Sequence, residues 1–320
     1  MRTLIAALLG ALCAAGAAAQ GAFPSRPITM VVGFAPGGGT DTAARIIAKA
    51  ATEALGQSVV VENRAGAGGN IAHEQVAKAA PDGHTILLGS VGPLTVAPHM
   101  IKALPYDPLK DLAPVSMAVT FANVLVVHEA VPVRTLAEYL KLASATPGGL
   151  TYGSSGIGGA GHLSGELFRM LSKANIVHVP YKGGGPAMQD LLGRQIASIF
   201  ATPISAGPHI KSGRIRAIAV TSLQRTGFMP EVPTVAESGY PGFEVSLWLG
   251  FFAPKGTPAP VLKKLYGELV TIAKSPEMKE PFERNGADPM TTTPAELTKL
   301  MSGELDKYKK VIKAANITLK

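Results

Sequence analysis

Cysteine is almost absent from this 320-residue sequence: the only one is Cys13, inside an apolar stretch near the N-terminus. If that stretch is removed on export, no thiol remains, which excludes disulfides, thiolate nucleophiles and cysteine-based metal sites. The seven histidines form no H-x-x-x-H or H-E-x-x-H pair, so no metal centre is expected. Pro36 to Asp41 lacks the Gly-Lys-Ser/Thr with which a Walker loop holds phosphate and magnesium, which argues against ATP. Low-complexity segments and blocks of one charge are missing too. The formal net charge is +8, but the basic residues are dispersed. Only Lys307, Lys309, Lys310 and Lys313 approach a run, interleaved with Tyr308, Val311 and Ile312 as on a solvated helix face. No stacking-aromatic or zinc pattern supports nucleic-acid binding. A mild positive field does favour the collection of anionic solutes.

What is present begins at the N-terminus. Residues 1–19 open Met1-Arg2, continue with the apolar run from Leu4 to Leu12 and close with Ala17-Ala18-Ala19, the pattern of a secretory signal peptide cut near Ala19 or Gln20. As a membrane anchor the run is too Ala-rich and falls short of the roughly 20 strongly apolar residues needed to span. Leu12 before Cys13 is too bulky for lipoprotein processing. An exported, cysteine-free chain of this size is expected in a bacterial periplasm. Removing Arg2 takes the charge from +8 to +7. The remaining length, about 300 residues, is enough for two domains with separate cores.

The segment Ile28-Thr29-Met30-Val31-Val32-Gly33 reads as a buried strand that continues through Phe34-Ala35-Pro36-Gly37-Gly38-Gly39-Thr40-Asp41 into a helix over 42–55. Glycine lets a backbone approach a ligand closely, and the first amides of a helix lack intrahelical partners, so such a loop can cradle a carboxylate or phosphate. The arrangement recurs where Leu150-Thr151-Tyr152 leads through Gly153-Ser154-Ser155-Gly156-Ile157-Gly158-Gly159-Ala160-Gly161-His162 into the helical pattern Leu163, Leu167, Met170, Leu171. Two cradles imply two lobes gripping an anion from both sides by oriented dipoles and hydroxyls. Ser90, just past a strand pattern over 85–88, joins the ligand-binding candidates.

Each of these residues also has a blander role open to it. Asp41, in a first helical turn, can simply stabilise the helix dipole. His162 can orient its own loop rather than touch a ligand, and Trp248, the only tryptophan, can be core. Gly156 to Gly161 satisfies G-x-G-x-x-G, but the following strand ends His178-Val179-Pro180-Tyr181-Lys182 without the acid that a dinucleotide ribose requires. Gly153-Ser154-Ser155-Gly156 misses the G-x-S-x-G nucleophile elbow by one residue. No cofactor is implied.

Strand and helix patterns alternate almost throughout, predicting α/β layers with mainly parallel sheets. Strand patterns fall at 28–33, 58–62, 85–88, 124–127, 150–152, 176–179, 196–200, 215–220 and 244–252, while 98–114 reads as irregular. Thr135-Leu136-Ala137-Glu138 and Thr293-Pro294-Ala295-Glu296 are capping boxes opening helices. Residues 117–123 and 221–229 read as crossovers between lobes, giving lobe 1 as residues 20–120 with 230–320 and lobe 2 as 121–229. A chain that leaves one lobe, builds the other and returns has two hinge strands, so closure around a ligand follows.

Several motifs in fixed order then carry a resemblance: Pro36-Gly37-Gly38-Gly39-Thr40-Asp41, Val59-Val60-Val61-Glu62-Asn63-Arg64-Ala65-Gly66-Ala67-Gly68-Gly69-Asn70, Ala80-Pro81-Asp82-Gly83, Leu104-Pro105-Tyr106-Asp107-Pro108, His178-Val179-Pro180-Tyr181-Lys182-Gly183 and Val232-Pro233-Thr234-Val235-Ala236-Glu237. Together they resemble the Bug (TctC-like) extracytoplasmic solute receptors of tripartite tricarboxylate transporters, over essentially the whole exported chain. The resemblance implies a type II periplasmic-binding-protein fold, two α/β lobes around a cleft, and a small organic anion as ligand, usually a carboxylate, passed to membrane permease subunits. It implies that the loop from Phe34 to Asp41 holds one carboxylate, that Ser154 to His162 receives the far end, and that Lys182 borders the cleft. Many relatives carry Asp where this chain has Ala201, followed by Thr202; the departure disfavours an amino-acid ligand and leaves room for a more apolar body, such as an aromatic ring. A monomer is expected. A secreted hydrolase of a carboxylate or ester, and an orphan sensor for a signalling partner, stand as alternatives.

Overall fold

A computed structural model describes residues 23–314; the predicted signal peptide lies outside them. Strand β1 (Ile28–Val32), helix α1 (Gly39–Leu55), β2 (Val59–Asn63), α2 (Asn70–Ala77) and β3 (Thr85–Ser90) open the chain, with β2 and β3 flanking β1 in parallel. A π-helical turn, Gly92–Val96, and α3 (Ala97–Met100) lead into β4 (Leu112–Ala122). The second series runs β5 (Val124–His128), α4 (Leu136–Ala145), β6 (Leu150–Ser154), α5 (Ala160–Ser172), β7 (Ile176–Pro180), α6 (Gly184–Leu192), β8 (Ser198–Ala201), α7 (Pro203–Lys211) and β9 (Ile215–Val220). β10 (Ser246–Pro254), α8 (Ala259–Ala273), α9 (Pro276–Glu283), β11 (Asp288–Pro289) and α10 (Pro294–Ala314) close it.

Two sheets result, in the orders β11-β4-β10-β3-β1-β2 and β7-β6-β8-β5-β9. Both are mixed rather than mainly parallel: β10 runs antiparallel between β3 and β4, and β5 antiparallel between β8 and β9. α1 turns Ala43, Ala44, Ile47, Ala48, Ala51 and Leu55 inward; the alanines on that stripe let it lie close to its sheet. Both capping boxes form as the sequence predicts, with Glu138 N donating to Thr135 Oγ1 and Glu296 N to Thr293 Oγ1, each at 3.2 Å. The terminal helix packs on β4 and the π-helical turn, returning the end of the chain to the first sheet.

Residues 117–123 read as a connection, yet β4 continues to Ala122, and Asn123 alone separates it from β5 in the other sheet. The return path covers 221–245. The two passages are stitched together: Asn123 N donates to Thr221 Oγ1 and Thr221 N to Asn123 O, both at 2.9 Å, while Thr221 Oγ1 donates to Val245 O at 2.7 Å. All three residues are buried. Paired backbones at the crossing confine bending to a narrow line.

Two histidines held neutral by burial make the fold acid-sensitive. His73 on α2 is fully buried; its Nδ1–H donates to Gly69 O at 2.9 Å and its Nε2 has no partner. Burial pushes its pKa down to about 4, against the opposing effect of the Gly69 bond. Burial, reinforced by the neighbouring His162, likewise pushes His178 down to about 3. The unfolded chain protonates such groups near the ordinary 6.5, so below that pH it binds more protons than the native state and stability falls with pH. Urea midpoints are expected to drop between pH 6.5 and 4.5. His73→Asn, which keeps a donor near Nδ1, should flatten that slope by about 1.4 kcal/mol per pH unit; an unchanged slope would acquit His73.

Candidate functional site

The first cradle is built by Asp41. Its buried carboxylate accepts from Gly37 N at 3.0 Å, from Arg45 Nε and Nη2 at 3.1 and 2.9 Å, and from Asn63 Nδ2 at 2.8 Å. Asn63 also donates to Phe34 O at 2.9 Å, so β2 ties down both ends of the loop. Burial alone would raise the Asp41 pKa, but the bonds from Arg45, Gly37 and Asn63 outweigh it and hold the acid below its ordinary value. Gly37, at φ +82°, turns its amide toward Asp41 rather than toward the cleft. The first intrahelical bond of α1 runs from Thr42 N to Gly38 O, which leaves the amides of Gly39, Thr40 and Asp41 as the helix-start donors. The N-cap Gly38 has no side chain to occupy them.

The second cradle is braced from behind by imidazoles. Ser154, at the end of β6 and buried, lies 2.6 Å from His178 Nε2 and accepts from Gly156 N at 3.1 Å. Gly158 N donates to His162 Nδ1 at 3.1 Å, and the two imidazoles stack with centroids 4.3 Å apart. Burial lowers the pKa of both histidines, which keeps them neutral at pH 7. The bond from Gly158 N ties the His162 ring to its own loop. Tyr152, against His178, donates to Glu166 Oε1 at 2.7 Å, and Glu166 pairs with Arg169. The α5 amides ahead of the first intrahelical bond, Leu163 N to Gly159 O, start the second helix as free donors.

The lobes meet over a cavity of about 60 Å³. Of the residues singled out in the sequence, Phe34, Gly38, Gly39, Thr40 and Ser90 line it from the first lobe, and Ser155, Ala160, Gly161, Ala201 and Thr202 from the second. Ala35, Pro36, Gly37, Asp41, Ser154, Gly158, Gly159, His162 and Lys182 are not in its lining. Several of these shape the loops that are; Lys182 is exposed, and its carbonyl accepts from Ala35 N across the lobes at 2.9 Å. Among the lining residues none is charged. Ser90 Oγ is buried there without a hydrogen-bond partner, which for a hydroxyl is costly unless something it can bond occupies the site.

Sequence reasoning missed much of the wall: Phe121 and Asn123 at the first crossover, Phe200 on β8, Ser205 on α7, and Leu247 and Leu249 beside Trp248 on β10. The available clue was position, since Phe121, Asn123, Phe200 and Leu247 sit near a strand end or a crossover. Glycine forms the seam around the cavity. A β-carbon on Gly92 would lie 2.6 Å from Gly158 O, one on Gly183 2.7 Å from Ala35 N, and others on Gly39, Gly68 and Gly185 would overlap Thr202, Ile157 O and Pro36 O. The lobes are therefore in backbone contact on both sides of the cavity.

Two α/β lobes, a double crossover and a cavity at their seam define a solute-binding protein of the periplasmic type. MatC of Rhodopseudomonas palustris with bound malate aligns at a TM-score of 0.86 and 33% identity, covering 91% of this chain and 100% of that one. A second R. palustris protein, solved with adipate, aligns at 0.89 and 35% identity, covering 92% and 99%. Protein BugT of Bordetella pertussis is 39% identical over 299 residues, 93% of this chain and 92% of its own. The profile of the tripartite tricarboxylate transporter family receptor matches residues 43–317. The chain belongs to this family, whose members bind solutes rather than transform them.

Proposed function

We propose that the protein captures a small organic carboxylate in the periplasm, after removal of its signal peptide, and delivers it as a monomer to the permease subunits of a tripartite tricarboxylate transporter. In this reading the lobes part at Asn123, where β4 gives way to β5, and along 221–245 on the return. The observation that carries this reading is the pair of helix starts, α1 and α5, facing one uncharged cavity from opposite lobes, with the unpartnered Ser90 hydroxyl between them. Helix-start amides hold carboxylates without a buried counter-charge, so capture is reversible and release needs only that the lobes part. Malate and adipate in the related structures support the ligand class.

Closure would proceed by bending at Asn123 and Thr221 until the glycine seam meets. The exclusion of water then strengthens each amide–carboxylate bond.

Thermal unfolding of the ligand-stripped protein tests this. A bound acid at 100 times its dissociation constant adds about 2.7 kcal/mol, a rise of roughly 4 °C for a chain of about 300 residues. Sugars and neutral amides should give no shift; a panel of di- and tricarboxylates and aromatic acids that gives none either would refute the proposal.

A further inference from the structure

We infer that the acid this site takes carries its carboxylate on a hydrocarbon body, without ammonium or hydroxyl substituents; the inference rests on the carboxylate-receptor reading above. Between the two helix starts, the cavity is walled by Phe34, Phe121, Phe200, Leu247, Trp248 and Leu249. An ammonium buried there would need a negative partner, and no Asp or Glu lines the cavity. Asp41 is fully engaged by Arg45, Asn63 and Gly37. A charge buried without a partner costs several kcal/mol.

Ser90 Oγ is left for a ligand carboxylate, and the Thr40 and Ser155 hydroxyls stand at the two helix starts; each of the remaining polar side chains of the wall already has a partner. Thr202 Oγ1 and Ser205 Oγ are paired at 2.9 Å, and Ser205 Oγ also reaches Thr202 O at 3.0 Å. Asn123 donates through Nδ2 to Ser164 Oγ at 3.1 Å, and its backbone is held by Thr221. Trp248 is the decisive case. Its single polar atom, Nε1, donates at 2.9 Å to Glu304 Oε2 on α10, a carboxylate that Thr95 Oγ1 also approaches at 3.4 Å. The ring is thereby locked, with its N–H turned to the C-terminal helix and an apolar surface left for the ligand. A hydroxyl on the ligand body would give up its water for walls that offer it little.

Trp248 is the only tryptophan in the chain, so its emission reports occupancy directly. The ligand-stripped protein would be titrated with glutarate, adipate and benzoate, and with malate, aspartate and glutamate. The expected result is that the best hydrocarbon-bodied acid binds at least ten-fold tighter than any of the hydroxy or amino acids. A smaller margin, or malate, aspartate or glutamate binding tighter, overturns the inference and leaves the receptor reading intact. Binding of none of the acids, checked by calorimetry, overturns both. In the variants, which lack that reporter, calorimetry reads binding: Trp248→Phe should keep the order of preference and Trp248→Gln should narrow it, and thermal unfolding of each ligand-free variant verifies that it is folded. Should the glutamine variant discriminate as well as wild type, Trp248 is not the wall that selects.

Discussion

Replacing Gly185 by alanine is expected to weaken ligand binding about 10- to 100-fold while leaving the protein at least as resistant to heat in the ligand-free state. Gly185 lies in the first turn of α6. A β-carbon there would run into Pro36 O and come within 3.2 Å of Gly37 C, backbone of the opposite lobe with no rotamer by which to yield. Overpacking of this kind costs about 1–3 kcal/mol, and the cost falls only on the closed state, because opening separates the two backbones. Affinity drops in that proportion, mainly through faster dissociation. Within its own helix the substitution is benign, since alanine in place of glycine in a helix gains up to about 1 kcal/mol. Gly267, inside α8 and away from the cavity, supplies the control: a β-carbon there meets nothing within 4 Å, so Gly267→Ala should alter affinity by less than about three-fold. Stopped-flow dissociation and small-angle scattering with saturating ligand would read the effect. Wild-type affinity in Gly185→Ala would mean that the binding-competent state stops short of this contact.

The same seam shows why so much of the architecture could be read from the chain. Glycine clusters at 37–39, 66–69, 156–161 and 183–185 mark places where backbone must meet backbone or ligand, and glycine is the residue whose purpose is most legible without coordinates. Capping boxes at Thr135 and Thr293 were equally plain because their chemistry is local. The run through β4 was not. Pro114 argues against an interior strand position, yet it is accommodated beside a register shift opposite Phe251 and Phe252, an irregularity that only the partner strand reveals. α7 was hidden in a similar way, by Gly207 and Pro208 within a helix whose burial against β9 overrides weak propensity. In the site, loop residues announced themselves, whereas Phe121, Phe200 and Leu247 look like any core residue in sequence and Asn123 like a polar residue of any connection. Their role comes from where two sheets end, a tertiary fact. Asp41 divides between the two cases: its place in a first helical turn was visible, but its hold on Gly37 and Asn63 depends on the pairing of β1 with β2.

That hold makes Asp41→Ala the substitution expected to damage stability most, by about 3 kcal/mol at pH 7, with loss of ligand affinity although Asp41 does not line the cavity. Removing the carboxylate strips Asn63 Nδ2 and Gly37 N of an acceptor and releases Arg45; each buried polar group left unpaired costs about 1–3 kcal/mol, while the exposed end of Arg45 finds water and adds little. The pH dependence separates charge from shape. Asp41 is held below its ordinary pKa of 3.8, so its ionised form stabilises the native state above that pH, and the contribution is lost as pH falls through the depressed native value. Asp41→Asn preserves the side-chain shape and one acceptor, and should therefore fall between wild type and alanine at pH 7 and converge on wild type in strong acid. Urea unfolding of the three proteins from pH 7 stepwise down to about pH 2 would decide the matter. A deficit for asparagine that stays constant with pH would show that hydrogen-bond geometry alone, and not the charge, holds the first cradle open to its ligand. A constant affinity in Asp41→Ala would show that the helix-start amides keep their aim without the brace, and the Gly37–Asp41 bond would then belong to folding rather than to recognition.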